Sequence, residues 1–92
     1  MVIVNGLEGS SRFKKSFKKM KRQGKDMSKL YRVVGHIIDG FIPSRYQDHV
    51  LKGDFKAMRE CHIEPDWLLT YIKTDTGVYL MDTGSHADIF GI

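Results

Sequence analysis

Ninety-two residues, 41% of them hydrophobic and 28% charged, describe a small globular domain rather than a disordered chain. A domain of this size buries only roughly 60–65% of the surface its unfolded chain exposes, so residues 1–92 hold one modest core and no second domain. The net charge of +4 conceals an asymmetry: residues 12–32 carry ten Lys or Arg and one acid, Asp26, whereas the remainder carries five bases and ten acids. Such a basic segment has two readings. One is a surface for a polyanion such as RNA, or for an acidic protein; the other is a solvated helix face. Cys61 is the single cysteine, which excludes an internal disulfide and suits a reducing compartment. The opening "MVIVNG" has an apolar run of three residues, too short for a signal-peptide core, and no stretch approaches the roughly 20 apolar residues of a membrane helix. A cytoplasmic protein with no membrane partner is expected.

The elements follow in chain order. "VIV" at 2–4 reads as a short strand ended by Asn5-Gly6. Ser10 or Ser11 caps a first helix, in which Phe13, Phe17 and Met20 recur at helical spacing between lysines, and Gly24 ends it. Asp26 caps a second helix, with Leu30, Val33, Val34, Ile37, Ile38 and Phe41 on one stripe; Gly40 and Pro43 close it. The two helices are expected to form an antiparallel pair. Residues 43–53 lack a period and read as an ordered loop. The period then changes to two: Phe55, Ala57, Cys61 and Ile63 share one strand face, and Lys56, Glu60 and His62 the other. "DWLLTYIK" is apolar on both faces, as a central strand is, "TDTG" at 74–77 is a hairpin loop, and "VYLMD" is the next strand. The pattern predicts an α+β fold with both helices on one face of a small sheet.

Chemistry gathers around "RECHIEPDW" at 59–67, which sets a cysteine, a histidine, two carboxylates, a proline and the only tryptophan side by side. His36 lies within the second helix, beside its apolar stripe, and reads as structural. His49, His62 and His86 lie outside the helices. His62 and Asp66 flank the tight connection at Pro65, and His86 follows the strand that pairs with "WLLTYI", so three histidines and a carboxylate converge on one sheet edge. Unrelated surface histidines are the bland alternative. A converging set admits zinc binding, for which no i, i+4 pair and no Cys-x-x-Cys speaks, or metal-free acid–base catalysis, for which an imidazole pKa is well placed. Ribonucleolytic cleavage needs a base for the 2′-hydroxyl, an acid for the leaving 5′-oxygen and a cation for the phosphorane. Trp67 opens an apolar strand and reads as core more readily than as a stacking platform. Phe90 has both options, packing on the sheet or stacking on a nucleobase.

The blocks "QDHVLKG", "RECHIEPDWLLTYIK" and "TGSHADIFG", together with the lysine-rich "FKKSFKKMKRQGKDMSKL", resemble the YafQ branch of the RelE-like (RelE/ParE) bacterial toxins over nearly the whole chain. The resemblance implies a RelE-like fold, with two N-terminal antiparallel helices on a mainly antiparallel twisted sheet. It implies a type II toxin that cleaves mRNA in the A site of the 70S ribosome without metal or cofactor. It also implies a DinJ-like antitoxin as partner, with operator DNA bound only by the antitoxin complex. Matched position by position, His86, His62, His49 and Asp66 become the catalytic set, with His86 closest to the scissile phosphate. Trp67 and Phe90 become substrate contacts. The basic segment, read as a functional surface, offers Lys14, Lys15, Lys18 and Lys19 to ribosomal RNA phosphates. One departure stands out. The family places an arginine directly before the "TG" turn, where this chain has Asp82, so Asp82 is expected in the substrate site with reduced cleavage. Arg59 is the obvious alternative cation, but strand parity puts it on the Cys61 face. A catalytically weakened homologue, acting mainly as an antitoxin-binding, operator-repressing module, is the competing function.

Overall fold

The computed structural model describes residues 7–52 and 58–91. The strand expected at 2–4 and the facing of Phe55, Lys56 and Ala57 lie outside them. Leu7–Gly9 forms β1 and leads into α1, Ser11–Arg22. Ser10 caps α1, its hydroxyl accepting from the Phe13 N–H, which satisfies one of the orphan donors of the first turn. Gly24, at φ 81°, turns the chain towards Asp26, whose carboxylate accepts from Ser28 N and caps α2, Met27–Asp39. Gly40 ends α2 in the left-handed conformation, a backbone state that costs glycine little.

Five strands make one mixed sheet in the order β1-β5-β4-β3-β2, where β2 is His49–Val50, β3 Arg59–Glu64, β4 Trp67–Thr74 and β5 Gly77–Gly84. β1 joins β5 in parallel; every other pairing is antiparallel. The β4–β5 hairpin turns at Asp75-Thr76, as the "TDTG" loop predicts. The helices bury Phe13, Met20, Leu30, Val33, Val34 and Ile37 against Cys61, Ile63, Trp67, Leu69, Tyr71, Val78 and Leu80 of the sheet. Each large apolar side chain so buried contributes about 1.5–3 kcal/mol. Among the described residues no helix is long and apolar enough to cross a membrane.

Three sequence expectations change. Ile38 and Phe41 are exposed rather than core, at 44% and 73%. Ile38 sits at the margin of a stripe centred on Val33 and Ile37, and Phe41 follows the left-handed break at Gly40, where helical phase no longer applies. The segment from 43 is more ordered than a loop: Ser44–Tyr46 forms a 3-10 turn that buries Tyr46, and His49–Val50 pairs with β3. His86, expected outside the helices, opens a short one, α3, His86–Phe90, started by a capping box between Ser85 and Asp88.

Gly84 positions that helix. Its φ of 150° is costly for any side chain, and a Cβ there would stand 2.9 Å from the Asp88 Cβ. Gly84→Ala therefore combines a strained backbone, about 1–3 kcal/mol, with a clash against the capping box. A melting temperature lower by several degrees is expected, since about 1 kcal/mol shifts a domain of this size by roughly 4–8 °C; an unchanged melting temperature would show that α3 shifts freely.

Candidate active site

The sheet face turned away from the helices carries a polar ladder. His49 pairs in register with Glu60, Glu60 with Thr70, and Thr70 with Asp82, so one row of residues crosses β2, β3, β4 and β5. One step up β3, His62 faces Leu68, which in turn faces Gly84. The rings of His49, His62, His86 and Phe90 then follow one another, with centroids 6.3, 5.9 and 6.5 Å apart. The three histidines come from β2, β3 and α3, and a period-two reading of β3 puts Glu60 and His62 on the same side.

Two carboxylates organise this row. Asp66, in the turn between β3 and β4, accepts from the His86 backbone N–H at 2.9 Å and lies 2.7 Å from its Nδ1. Those two bonds hold the Asp66 carboxyl below the usual carboxylate range, so it is ionised near neutral pH. An ionised carboxylate only accepts, so Nδ1 carries the proton and Nε2 of His86 is left to exchange one. His49 is held differently. Its Nδ1 lies 2.7 Å from the Gln47 carbonyl, which fixes that proton, and its Nε2 is 3.0 Å from the buried Glu60 carboxylate. Both of its nitrogens are engaged. Glu60 Oε1 and His62 Nδ1 are buried without a hydrogen-bond partner among the described residues.

Glu60 is the residue that sequence reasoning passed over as a site member. The alternation that puts it beside His62 was the available signal; its pairing with His49 needed the β2–β3 register, and β2 is only two residues long.

The other expected residues lie as follows. Trp67 is 1% exposed in the helix-side core, where its Nε1–H donates to Thr83 Oγ1 at 2.9 Å; it does not join the row of rings. Arg59 pairs in register with Tyr71, on the core side as its parity implies, and its Nε donates to Asp48 at 3.1 Å. The Tyr71 hydroxyl also donates to Asp48, so this cluster anchors the residue before His49. His36 rests against Tyr46, ring centroids 5.6 Å apart. Burial pushes the Cys61 thiol up to about 12, which makes it a poor nucleophile. Lys14, Lys15, Lys18 and Lys19 are exposed on α1, and Lys19 Nζ bonds Asp88 at 3.1 Å. Asp82 is 6% exposed: one oxygen accepts from Ser16 Oγ at 2.6 Å and from Thr83 N at 2.8 Å, and the other pairs with Arg12 Nε at 2.9 Å. Among the described residues no group of three or more His, Cys, Asp or Glu is arranged to hold a metal ion.

Replacing Asp66 by Asn should release the tautomer. In nitrogen-detected NMR the neutral His86 ring is expected to be protonated at Nδ1 in the natural protein and to populate the Nε2-protonated form in Asp66→Asn. Identical tautomers in both would remove Asp66 from this role. The lowered carboxyl also has a sign: its contribution to stability is present above the usual carboxylate range and is lost as pH falls through the folded value.

Comparison with known proteins agrees with this architecture. Residues 6–91 match the family described as bacterial toxin of type II toxin-antitoxin system, YafQ. The "mRNA interferase toxin YafQ" of Escherichia coli K12 is 37% identical over 92 residues, covering 98% of this chain and all of the relative. The crystal structure of the E. coli DinJ-YafQ complex superposes with a TM-score of 0.87 at 37% identity, over 96% of this chain and all of that one. A metal-bound toxin from Helicobacter pylori does so at 0.87 and 37%, over 95% and 100%. With a family match over almost its entire length and these relatives beside it, the chain belongs to the YafQ family of toxins from type II toxin–antitoxin systems.

Proposed function

We propose that this toxin is a ribosome-dependent endoribonuclease that cuts mRNA in the ribosomal A site by metal-free acid–base catalysis, in the cytoplasm. The carboxylate-held His86 is the observation that carries the reading. A tautomer fixed at Nδ1 prepares Nε2 to take or give one proton, which is what cleavage through the ribose demands. In that reaction the 2′-oxygen attacks phosphorus as its proton leaves to a base. The bond to the 5′-oxygen then breaks, and that oxygen takes a proton from an acid. His86 moves one of these protons. The His49–Glu60 pair, next to His62, moves the other, with His49 Nε2 held 3.0 Å from the Glu60 carboxylate. His62, whose ring lies between those of His49 and His86, orients the ribose, and Phe90 stacks on a base beside His86.

The basic helix α1 supplies the ribosomal contact through Lys14, Lys15, Lys18 and Lys19, whose charge attracts RNA phosphates. A DinJ-like antitoxin holds the toxin inactive, as the E. coli relative's complex with DinJ suggests, and operator DNA is bound only by that toxin–antitoxin complex. Support for mRNA as substrate comes from the E. coli relatives, which are named mRNA interferase toxins.

Primer extension on mRNA after induction tests the proposal. The natural protein should leave discrete in-frame cuts, and His86→Ala should slow single-turnover cleavage on programmed ribosomes by about 10²–10⁴. Uncut mRNA, or an equally fast His86→Ala, would overturn it.

A further inference from the structure

An anionic phosphorane forms in cleavage of this kind, yet the polar ladder ends in a buried carboxylate. Asp82 does not act as a free anion there. Ser16 Oγ and Thr83 N–H occupy one oxygen, and Arg12 Nε faces the other at 2.9 Å. The pair is asymmetric: the Asp82 side chain is 9% exposed and the Arg12 side chain 68%. The anion is therefore inside and the guanidinium outside. A cation beside a buried carboxylate has one structural reason, since an uncompensated buried charge costs stability.

The position of Arg12 gives a second one. The β4–β5 register shifts at Thr70/Tyr71, which leaves Met81 as an extra residue and brings both Met81 and Asp82 to one cavity of about 210 Å³. Arg12 forms part of its wall and Phe90 another part, and the Phe90 ring meets that of His86. The cavity thus joins the guanidinium to the row of catalytic rings. At roughly 4.8 Å per strand, the Asp82 end of the ladder stands about 14 Å from His49, so Arg12 and His49 flank the face from opposite sides. Four other cations around the site are engaged with acids, Lys19 with Asp88, Lys25 and Lys29 with Glu64 and Arg59 with Asp48, while Arg32 and Arg45 line a separate cavity beside His62. The closest contact of Arg12 with its carboxylate is through Nε, and the two terminal nitrogens complete a planar fork suited to phosphate.

We infer that Arg12 is a substrate-contacting residue that binds an RNA phosphate beside His86, and that Asp82 is the positioning residue that holds its guanidinium in place. The inference rests on the nuclease reading above. Asp82 then serves cleavage by orienting a cation supplied from α1, and the ordering of that long side chain is completed before RNA arrives.

Single-turnover cleavage on programmed ribosomes by the natural protein, Arg12→Gln, Arg12→Lys, Asp82→Asn and the double variant Arg12→Gln/Asp82→Asn tests this. Arg12→Gln should be slower by about 10²–10³, the usual cost of one electrostatic donor. Arg12→Lys should regain part of the loss, and Asp82→Asn should lose less than Arg12→Gln. The double variant decides against a purely neutralising role, because it leaves no buried charge uncompensated. It should stay as slow as Arg12→Gln. A double variant as fast as the natural protein, or an Arg12→Gln within about twofold of it, overturns the inference. If the natural protein leaves ribosomal mRNA intact, the nuclease reading itself fails, an outcome distinct from either of those.

Discussion

Asp66 accepts two hydrogen bonds from a single residue twenty positions further along the chain, one from the backbone and one from the ring of His86. The first fixes where α3 begins, and the second fixes which nitrogen of the imidazole bears the proton. Both depend on the β3–β4 turn and the end of β5 lying side by side, which the antiparallel register of β4 against both neighbours ensures. The core beneath is what holds that register. Trp67, immediately after Asp66, is buried and hydrogen-bonded to Thr83, three residues before His86. The tryptophan acts on the site from below, through the two chain segments that it ties together.

The same segments show how backbone form prepares chemistry. Gly84 lets the chain leave β5 at an angle other residues resist, and Ser85 and Asp88 close the helix start on which His86 stands. Lys19 reaches Asp88 from α1, while Ser10 of the α1 cap bonds the Leu80 and Met81 carbonyls and covers the edge of β5 beyond β1. The basic helix is therefore fastened to the strand that carries Asp82. A guanidinium from its first turn can serve the sheet face because α1 and β5 are held together at these points.

Much of the architecture was readable from the sequence, because apolar periodicity reports burial directly. The caps at Ser10 and Asp26, the helix stripe through Val33 and Ile37, and the β4–β5 hairpin all follow local rules. The core side of Arg59 was likewise accessible from alternation within β3. What escaped depends on events without a local signature. A bulge at Met81 resets strand parity, so the surroundings of Asp82 could not be counted along β5. The Glu60–His49 pairing relies on a two-residue strand whose pattern is too short to register. The Arg12–Asp82 contact spans α1 and β5, and spacing alone does not foretell such a meeting.

The central claim is that imidazoles transfer protons while the ribose supplies the nucleophile. Its most direct test is the chemistry of the cut ends, determined on mRNA cleaved by the natural protein on programmed ribosomes. Attack by the 2′-oxygen predicts a 5′-hydroxyl on the downstream fragment and a 2′,3′-cyclic phosphate, or the 3′-phosphate derived from it, on the upstream one. A 5′-phosphate facing a 3′-hydroxyl would mean that water attacked instead, and would contradict the account.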